Sequence, residues 1–307
     1  MTGARVPPFP TALLHPRHWP AWAGLGATWL LGRLPQRLAL AIGSGIGTVL
    51  AHIPGQRRQV AARNIALCLP ELPATAQTAM VGENLRDAGR MLAEFALGWM
   101  ANDRSIAGIP LQIDGLAHLQ QLAAEGRGAL LVGGHFSHLE LCARLLSSRQ
   151  PIAGMYREMD SAVFERAVLK ARLHYARAMF TKTDLRGAVK FLKGGGALWY
   201  APDQDMRGKD HVFVPFFGVP AATITATHHL ARLSGAAVLP FAHRRLPAGG
   251  YRIDIGAPLT EFPSTNIEAD TARVNAEIER MVRAAPSQYL WTHKRFKTRP
   301  PGAPPVY

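Results

Sequence analysis

The residues best suited to catalysis lie in one short segment, residues 133–140, with the sequence GGHFSHLE. His135 stands five positions before Glu140, so a carboxylate one turn into a following helix can reach one imidazole nitrogen while the other faces a cleft. Such a carboxylate fixes the ring tautomer and stabilises the imidazolium that forms when His135 accepts a proton. Gly133 and Gly134 allow a tight turn and close approach of a substrate to the backbone. The segment predicts a general base, His135, oriented by Glu140.

The spacing alone leaves other interpretations of this segment open. Ser137 and Glu140 form a capping-box pattern, in which the carboxylate only satisfies the start of a helix. His135, His138 and Glu140 are close enough in sequence for a metal site, but no second cluster with zinc-like spacing accompanies them, and no metal is predicted. Ser137 lacks the Gly-x-Ser-x-Gly elbow of a nucleophilic serine, so a covalent intermediate is not predicted.

Alternating helices and strands must position this segment. Residues 128–132 predict a buried strand and residues 137–146 a helix, which puts His135 at the carboxyl end of a strand, where α/β sheets carry their sites. Further helices are predicted at 76–100, 117–124, 162–177, 184–192, 223–233 and 267–283, and further strands at 152–156, 197–201, 237–241 and 251–255. This alternation predicts an α/β sandwich whose sheet is mostly parallel or mixed at one edge.

Composition points to an apolar and basic protein. Of 307 residues, 48% are hydrophobic and 18% charged, and 35 Lys and Arg stand against 21 Asp and Glu. Excess positive charge favours acidic partners, and its combination with low charge density favours anionic membrane lipid over nucleic acid. The two cysteines, Cys68 and Cys142, are too few for a disulfide framework, so the working domain is expected in the cytosol.

The N-terminal segment has the composition of a membrane anchor. Between Arg17 and Arg33 lie 15 uncharged residues that include three tryptophans, which suit the bilayer interface. A full span needs about 20 apolar residues, so this segment is short unless the flanking Arg side chains snorkel. No clean cleavage site follows, so the anchor is expected to be retained rather than removed as a signal peptide; a buried core helix is the alternative. We expect an anchor and interfacial segment at 1–56 and a catalytic domain at 57–307.

A resemblance to a known family rests on segments spread along nearly the whole chain. Besides the His-x4-Glu motif at 135–140 they are 11–17 (TALLHPR), 156–157 (YR), 184–187 (DLRG), 199–205 (WYAPDQD), 212–217 (VFVPFF), 231–235 (ARLSG) and 293–300 (HKRFKTRP). Through them the chain resembles the late acyltransferases of lipid A biosynthesis, within the glycerolipid-type acyltransferases that share a His-x4-Asp/Glu motif.

The resemblance implies a glycerolipid-acyltransferase-like fold and an inner-membrane protein with a single N-terminal anchor and a cytoplasmic catalytic face. It implies acyl carrier protein as donor, a hydroxyl on an acyl chain of the Kdo-bearing lipid A precursor as acceptor, and no cofactor. His135 would remove the hydroxyl proton and the alkoxide would attack the thioester directly. The alternatives are a lysophospholipid or glycolipid acyltransferase that uses acyl coenzyme A, a basic peripheral binding protein without catalysis, and a zinc-dependent hydrolase.

Three charged residues are candidate substrate contacts. Arg157 closes the predicted strand 152–156 and suits a phosphate or a developing oxyanion, with a surface ion pair as the alternative. Asp184 and Arg186 are expected to position donor or acceptor groups, and a helix cap is the alternative for Asp184.

Three further candidates follow the predicted strand at 197–201. Asp203 is expected to orient an active-site base or an arginine, and Asp205 to contact substrate, with a plain turn as the alternative for this Pro-Asp-Gln-Asp segment. Phe216, in an aromatic cluster, is expected to line an acyl channel, with a place in the core as the alternative.

Overall fold

The computed structural model describes residues 3–206 and 210–307. The helices in that part of the chain are α1 (Trp19–Arg33), α2 (Gln36–His52), α3 (Gln56–Cys68), α4 (Ala74–Met100), α5 (Asp103–Ala107), α6 (Leu116–Ala124), α7 (Leu139–Ser147), α8 (Ala162–Tyr175), α9 (Leu185–Lys193), α10 (Ala226–Ser234) and α11 (Ile267–Ala284). The strands are β1 (Leu111–Asp114), β2 (Ala129–Val132), β3 (Ala153–Tyr156), β4 (Met179–Thr181), β5 (Ala197–Tyr200), β6 (His211–Phe216), β7 (Val219–Ile224), β8 (Ala237–Arg245) and β9 (Tyr251–Ile255).

Seven of these strands form one mixed sheet in the order β1-β9-β8-β2-β5-β3-β4. All neighbours are parallel except β8 and β9, and β6 and β7 form a separate antiparallel hairpin. The mostly parallel, mixed sheet predicted from the sequence is confirmed.

The centre of the sheet places the predicted catalytic segment. All four residues of β2 are buried, because helices cover both faces of the sheet at this strand, which is why its sequence is continuously apolar. β2 pairs in parallel with β5, and Val132 lies opposite Tyr200. Since parallel strands end at the same edge, the residues that follow Val132 and Tyr200 emerge side by side.

The structure differs from the sequence prediction at the β6–β7 hairpin and at the two edges of the sheet. The predicted helix 223–233 begins only at Ala226, because Thr223 and Ile224 pair with Val212 and His211 in the β6–β7 hairpin. The edge strands β1 and β4 were not predicted. They contain only four and three residues, too few for an alternating pattern to be visible.

The N-terminal segment forms two helices in place of one anchor. α1 has 15 residues, and within the described chain no single helix has both the length and the hydropathy to cross a bilayer. Gln36–His52 and Gln56–Cys68 pass that test only as a pair, which is bent by 88°. The predicted single N-terminal anchor helix is therefore not found. The boundary expected at residue 56 remains a prediction, and both α1 and α2 pack against α4.

Helix α2 has small residues on its inner face and large apolar residues on its outer face. Ala39, Gly43 and Gly47 are buried, and a Cβ on Gly43 would lie 2.7 Å from the carbonyl oxygen of Gly89 in α4. The opposite face carries exposed side chains at helical spacing: Leu38, Ile42, Ile46, Val49, Leu50 and, just after the helix, Ile53. We call these six residues the α2 apolar stripe.

Candidate active site

His135 lies in the loop that joins β2 to α7, three residues beyond the end of the strand. The C-terminal segment 288–290 holds this loop: the carbonyl of Gln288 accepts from the Ser137 amide at 2.9 Å, and the Leu290 amide donates to the His135 carbonyl at 3.0 Å. The expected position at the carboxyl end of a buried strand is confirmed.

Asp203 orients the imidazole. Its Oδ1 lies 2.6 Å from Nδ1 of His135, and its Oδ2 accepts from the His135 backbone amide at 2.8 Å. Asp203 follows β5 as His135 follows β2, so the parallel pairing of these strands brings the two residues together. The partner of Asp203 is thus His135, the predicted base, and not an arginine.

The electrostatics of the pair favour its charged form. Burial disfavours the imidazolium, but the charge of Asp203 and its hydrogen bond outweigh burial and raise the pKa of His135. Burial likewise disfavours the carboxylate, and the attraction and hydrogen bonds of His135 lower the pKa of Asp203 to about 2. The Asp203 side chain is 1% exposed and that of His135 is 29% exposed. The accessible end of the pair is therefore the imidazole, and within the described residues its Nε2 forms no hydrogen bond.

Glu140 does not contact the His135 ring, contrary to the sequence prediction. It forms a buried ion pair with Arg172 of α8, which donates to both of its oxygens. Trp99 Nε1 donates to Oε2 at 2.8 Å and the Tyr175 hydroxyl at 3.3 Å. The physical reason is that α7 begins only at Leu139, so Glu140 lies in its first turn and points between α4 and α8. Burial opposes ionisation, but Arg172 outweighs it and lowers the pKa of Glu140.

Three of the charged candidates are not part of the site formed by His135 and Asp203. They are Arg157, Asp184 and Arg186. Arg157 is 71% exposed and pairs with Asp160, which matches the surface ion pair considered as its alternative. Asp184 caps α9 and accepts from the Gly187 amide at 2.9 Å, and Arg186 is exposed in the first turn of that helix. Their substrate roles remain predictions, because no contact in the described structure supports them.

Asp205 and Phe216 are both placed in supporting positions. The Asp205 carboxylate accepts from the amide and hydroxyl of Thr298, at 2.6 and 2.9 Å, and so holds the segment after His293. Phe216 is fully buried and packs against Phe296 in the core, which does not agree with an acyl-channel lining. An aromatic residue that faces a channel and one that faces the core have the same sequence pattern.

A buried charge network that was not predicted lies behind the catalytic loop. Arg245 binds Glu94 through Nε at 2.9 Å, Asp87 through Nη1 at 2.6 Å and the Ser137 hydroxyl through Nη2 at 3.1 Å. Glu94 and Asp87 are buried in α4. Their presence seven residues apart on the buried face of that helix was a signal for a buried cation, whereas nothing in the sequence distinguishes Arg172 from other basic residues of α8.

A buried histidine pair lies under the catalytic loop. His138 and His243 approach through Nδ1 atoms 2.7 Å apart, and Nε2 of His138 donates to Gln288 Oε1 at 2.7 Å. With Cys142 they form the one group in the described chain whose His, Cys or carboxylate atoms lie close enough to share a metal. Two nitrogen ligands of a tetrahedral ion at ~2.0–2.1 Å lie more than ~3 Å apart. The observed distance is therefore that of a hydrogen bond, which His243 donates and His138 accepts.

A narrow cleft reaches the pair. It is lined by His135, Asp203, Tyr289, His293 and Arg295 and has a volume of about 10 Å³. Arg295 is 3% exposed and donates to the Ala222 carbonyl at 2.6 Å, which ties the cleft to the β6–β7 hairpin. In chemical terms the site offers an oriented, partly exposed imidazole whose carboxylate partner is buried.

Comparison with known proteins then decides the family. The family model for the bacterial lipid A biosynthesis acyltransferases matches residues 6–298. The chain belongs to this family. It is therefore an acyltransferase, and the recognition from sequence is confirmed.

Curated members of the lipid A acyltransferase family match along almost the entire chain. The lipid A biosynthesis lauroyltransferase of Escherichia coli is 40% identical over 98% of this chain and 99% of its own. The palmitoleoyltransferase of the same organism is 37% identical over 97% and 98%, and its myristoyltransferase 26% identical over 97% and 93%. A solved structure, the 1-acyl-sn-glycerophosphate acyltransferase of Thermotoga maritima, matches over 80% of this chain and 99% of its own at 14% identity and a TM-score of 0.38.

Proposed function

We propose that this protein transfers a fatty acyl chain from acyl carrier protein to a hydroxyl on an acyl chain of the Kdo-bearing lipid A precursor, with His135 as general base. The observation that carries the proposal is the His135–Asp203 pair in a member of the lipid A acyltransferase family. Relatives named for lauroyl, palmitoleoyl and myristoyl transfer support a fatty acyl group as the unit transferred.

The proposed reaction is a direct attack. Nε2 of His135 takes the proton of the acceptor hydroxyl, and the oxygen adds to the thioester carbonyl to give a tetrahedral oxyanion. The C–S bond then breaks, and the leaving thiolate takes the proton back from His135. Asp203 stabilises the imidazolium between these two steps, as the carboxylate does in other His–carboxylate pairs.

The surroundings of His135 support direct attack over a covalent acyl-enzyme. The Ser137 hydroxyl is 5% exposed and accepts a hydrogen bond from Arg245. Cys142 is fully buried, and burial raises the pKa of its thiol well above the ordinary value. Neither group is placed or ionised as a nucleophile needs to be.

We place the bilayer against α1 and α2. Besides the α2 apolar stripe, α1 carries the exposed apolar side chains of Trp19, Trp29 and Leu30, which are 63, 46 and 61% exposed. Indole rings and aliphatic side chains on one surface are typical of helices that lie in the membrane interface, and the chain's net charge of +14 favours anionic lipid. This arrangement replaces the single spanning anchor and keeps the expected location at the inner membrane with the catalytic site towards the cytoplasm.

The decisive experiment is acyl transfer by detergent-solubilised protein. Labelled acyl carrier protein and the Kdo-bearing precursor form one arm, and acyl coenzyme A with lysophospholipid forms the other. We expect transfer in the first arm, lost in His135→Ala and retained in His229→Ala, a matched change of an exposed histidine on α10. Transfer only to lysophospholipid would overturn the proposed acceptor, and full activity of His135→Ala would overturn the mechanism.

A further inference from the structure

A second cavity adjoins the catalytic cleft and is lined by cations. Its volume is about 630 Å³, and Arg57, Lys294 and Lys297 contribute to its lining. His293 lines both this cavity and the cleft at His135, so the two spaces are neighbours. We call this space the cationic cavity.

The cations of the cavity outnumber the acidic side chains in its lining. None of the three cations forms an ion pair with a described residue. Asp205, the single acidic side chain in the lining, is 8% exposed, and both of its oxygens accept hydrogen bonds from Thr298. In addition, α3 begins at the cavity behind Gly55, which provides no side-chain cap, so the positive end of the helix dipole adds to the potential.

The wall of the cavity is built from the C-terminal segment and is held in place. The Tyr307 hydroxyl donates to Asn64 of α3 and accepts from the Phe296 amide at 3.2 Å. The Lys294 ammonium lies 5.7 Å from the centre of the Tyr307 ring. The cations are therefore presented on a fixed surface, which reduces the entropy lost when an anion binds.

The cavity lies beside the apolar surface that we place in the bilayer. The α2 apolar stripe ends in Val49, Leu50 and Ile53, which are 61, 46 and 53% exposed. Arg57 follows Ile53 by four residues, at the start of α3. A molecule with its acyl chains against α2 therefore has its polar group next to the cationic cavity, and His135 lies beyond it.

We propose that the cationic cavity binds the acidic head group, phosphate or sugar carboxylate, of the acceptor glycolipid, and so sets the acceptor hydroxyl relative to His135. The inference rests on the proposed function and adds a binding site to it. The neighbouring apolar stripe favours the lipid acceptor over the donor, because the donor is a soluble protein that approaches from water. Arginine and lysine on a fixed wall suit phosphate and carboxylate oxygens.

The test is the variant Arg57→Gln/Lys294→Gln/Lys297→Gln, compared with Arg104→Gln/Lys170→Gln, two exposed cations that do not line the cavity. We expect the KM for the Kdo-bearing precursor in mixed micelles to rise at least about tenfold in the triple variant, with an unchanged KM for acyl carrier protein. The control variant is expected to keep both values. A precursor analogue without its phosphates distinguishes the two acidic groups. If phosphate is the group bound, the wild type and the triple variant should have the same KM for this analogue.

Equilibrium binding of labelled precursor without donor repeats the test independently of turnover. An unchanged precursor affinity in the triple variant overturns the inference, whether or not the wild type transfers acyl groups to that precursor. A rise in the KM for acyl carrier protein alone also overturns it, since the cavity would then bind the donor. Failure of the wild type to transfer to a precursor that it binds refutes the proposed function and leaves the head-group site supported.

Discussion

Nδ1 of His135 lies 2.6 Å from Oδ1 of Asp203, a residue 68 positions further along the chain. The bond joins loops that follow two adjacent parallel strands, β2 and β5. The carboxylate that contacts the imidazole thus follows the neighbouring strand, while the carboxylate five residues after His135 pairs with Arg172 of α8.

Replacement of Asp203 by Asn is expected to reduce kcat/KM by roughly 10²- to 10⁴-fold, because the amide neither stabilises the imidazolium nor fixes the tautomer. The acid limb of the pH profile should also move. Asp203 raises the pKa of His135, so wild-type activity is lost as the pH falls through a value above 6.5, and in Asp203→Asn that loss occurs at lower pH. Profiles of kcat/KM from pH 5.5 to 9 check both effects. Asp114→Asn, a change of an exposed carboxylate on the edge strand β1, serves as control, and an unmoved acid limb would contradict the assignment.

Loss of the Glu140 charge is expected to act mainly on stability. Glu140→Gln leaves Arg172 buried without a counter-charge and should lower the free energy of unfolding by about 3 kcal/mol. The double variant Glu140→Gln/Arg172→Met removes the unpaired charge and should recover most of that loss. Chemical denaturation measures both, and activity is assayed on the folded fraction. A stable Glu140→Gln protein with a large loss of kcat would show that Glu140 acts in catalysis after all.

The buried histidine pair is expected to make stability depend on pH. Burial lowers the pKa of His243 to about 3 from an ordinary 6.5, and it lowers the pKa of His138 as well. Because the unfolded chain takes up these protons first, the contribution is complete above pH 6.5 and is lost as the pH falls towards 3. Each histidine adds at most about 1.4 kcal/mol per pH unit to the slope of the unfolding free energy against pH. Unfolding free energies at pH 4.5–7.5 should show a smaller slope in His243→Gln, and an equal slope would contradict the neutral assignment.

Two glycines of α2 should respond in opposite ways to alanine. A Cβ on Gly43 meets the Gly89 carbonyl at 2.7 Å, so Gly43→Ala should push α2 away from α4 and cost about 1–3 kcal/mol. Gly45 has no atom within 4 Å of an added Cβ, and Gly45→Ala should stabilise by about 0.5–1 kcal/mol through higher helix propensity. Thermal unfolding measures the change in stability of each variant. Equal shifts in melting temperature would refute the close packing of α2 against α4.

Membrane binding should depend on the α2 apolar stripe. Ile42→Gln/Ile46→Gln/Val49→Gln removes apolar surface worth about 1–2 kcal/mol per side chain and should weaken binding to anionic vesicles by at least tenfold. Leu185→Gln/Leu233→Gln, on exposed positions of α9 and α10, is the control of similar chemistry. Vesicle flotation measures the bound fraction. If the control loses more binding than the stripe variant, the bilayer contacts another face.

The sequence was sufficient for the mostly parallel sheet and for the position of His135 after a buried strand, because both depend on local signals: a continuous apolar run, two glycines and a histidine before a helix. It failed where the outcome depends on residues far apart. Glu140 was assigned to His135 because spacing shows nothing of Arg172, which reaches it from α8. For Asp203 the sequence left a base or an arginine open as its partner, because only the parallel pairing of β2 and β5 determines which residues emerge together.

The N-terminal prediction failed for a different physical reason. Hydropathy registers how apolar a segment is but not which side of a helix its large residues occupy. In α2, which lies within the predicted anchor segment 1–56, Gly43 and Gly47 face α4 and the large aliphatic residues face outwards, so an apolar segment lies along the protein surface.

The His135–Asp203 contact depends on the register in which β2 pairs with β5, with Val132 opposite Tyr200. Each of the two residues stands three positions after its own member of that pair, so a slip of one residue between β2 and β5 would displace the two by about 3.3 Å and break a bond of 2.6 Å. If His135 is the base, as proposed, a molecule with misaligned central strands would lack an oriented base even with α2 correctly formed. Turnover would then report the alignment of the middle of the sheet, which membrane binding through α2 would not.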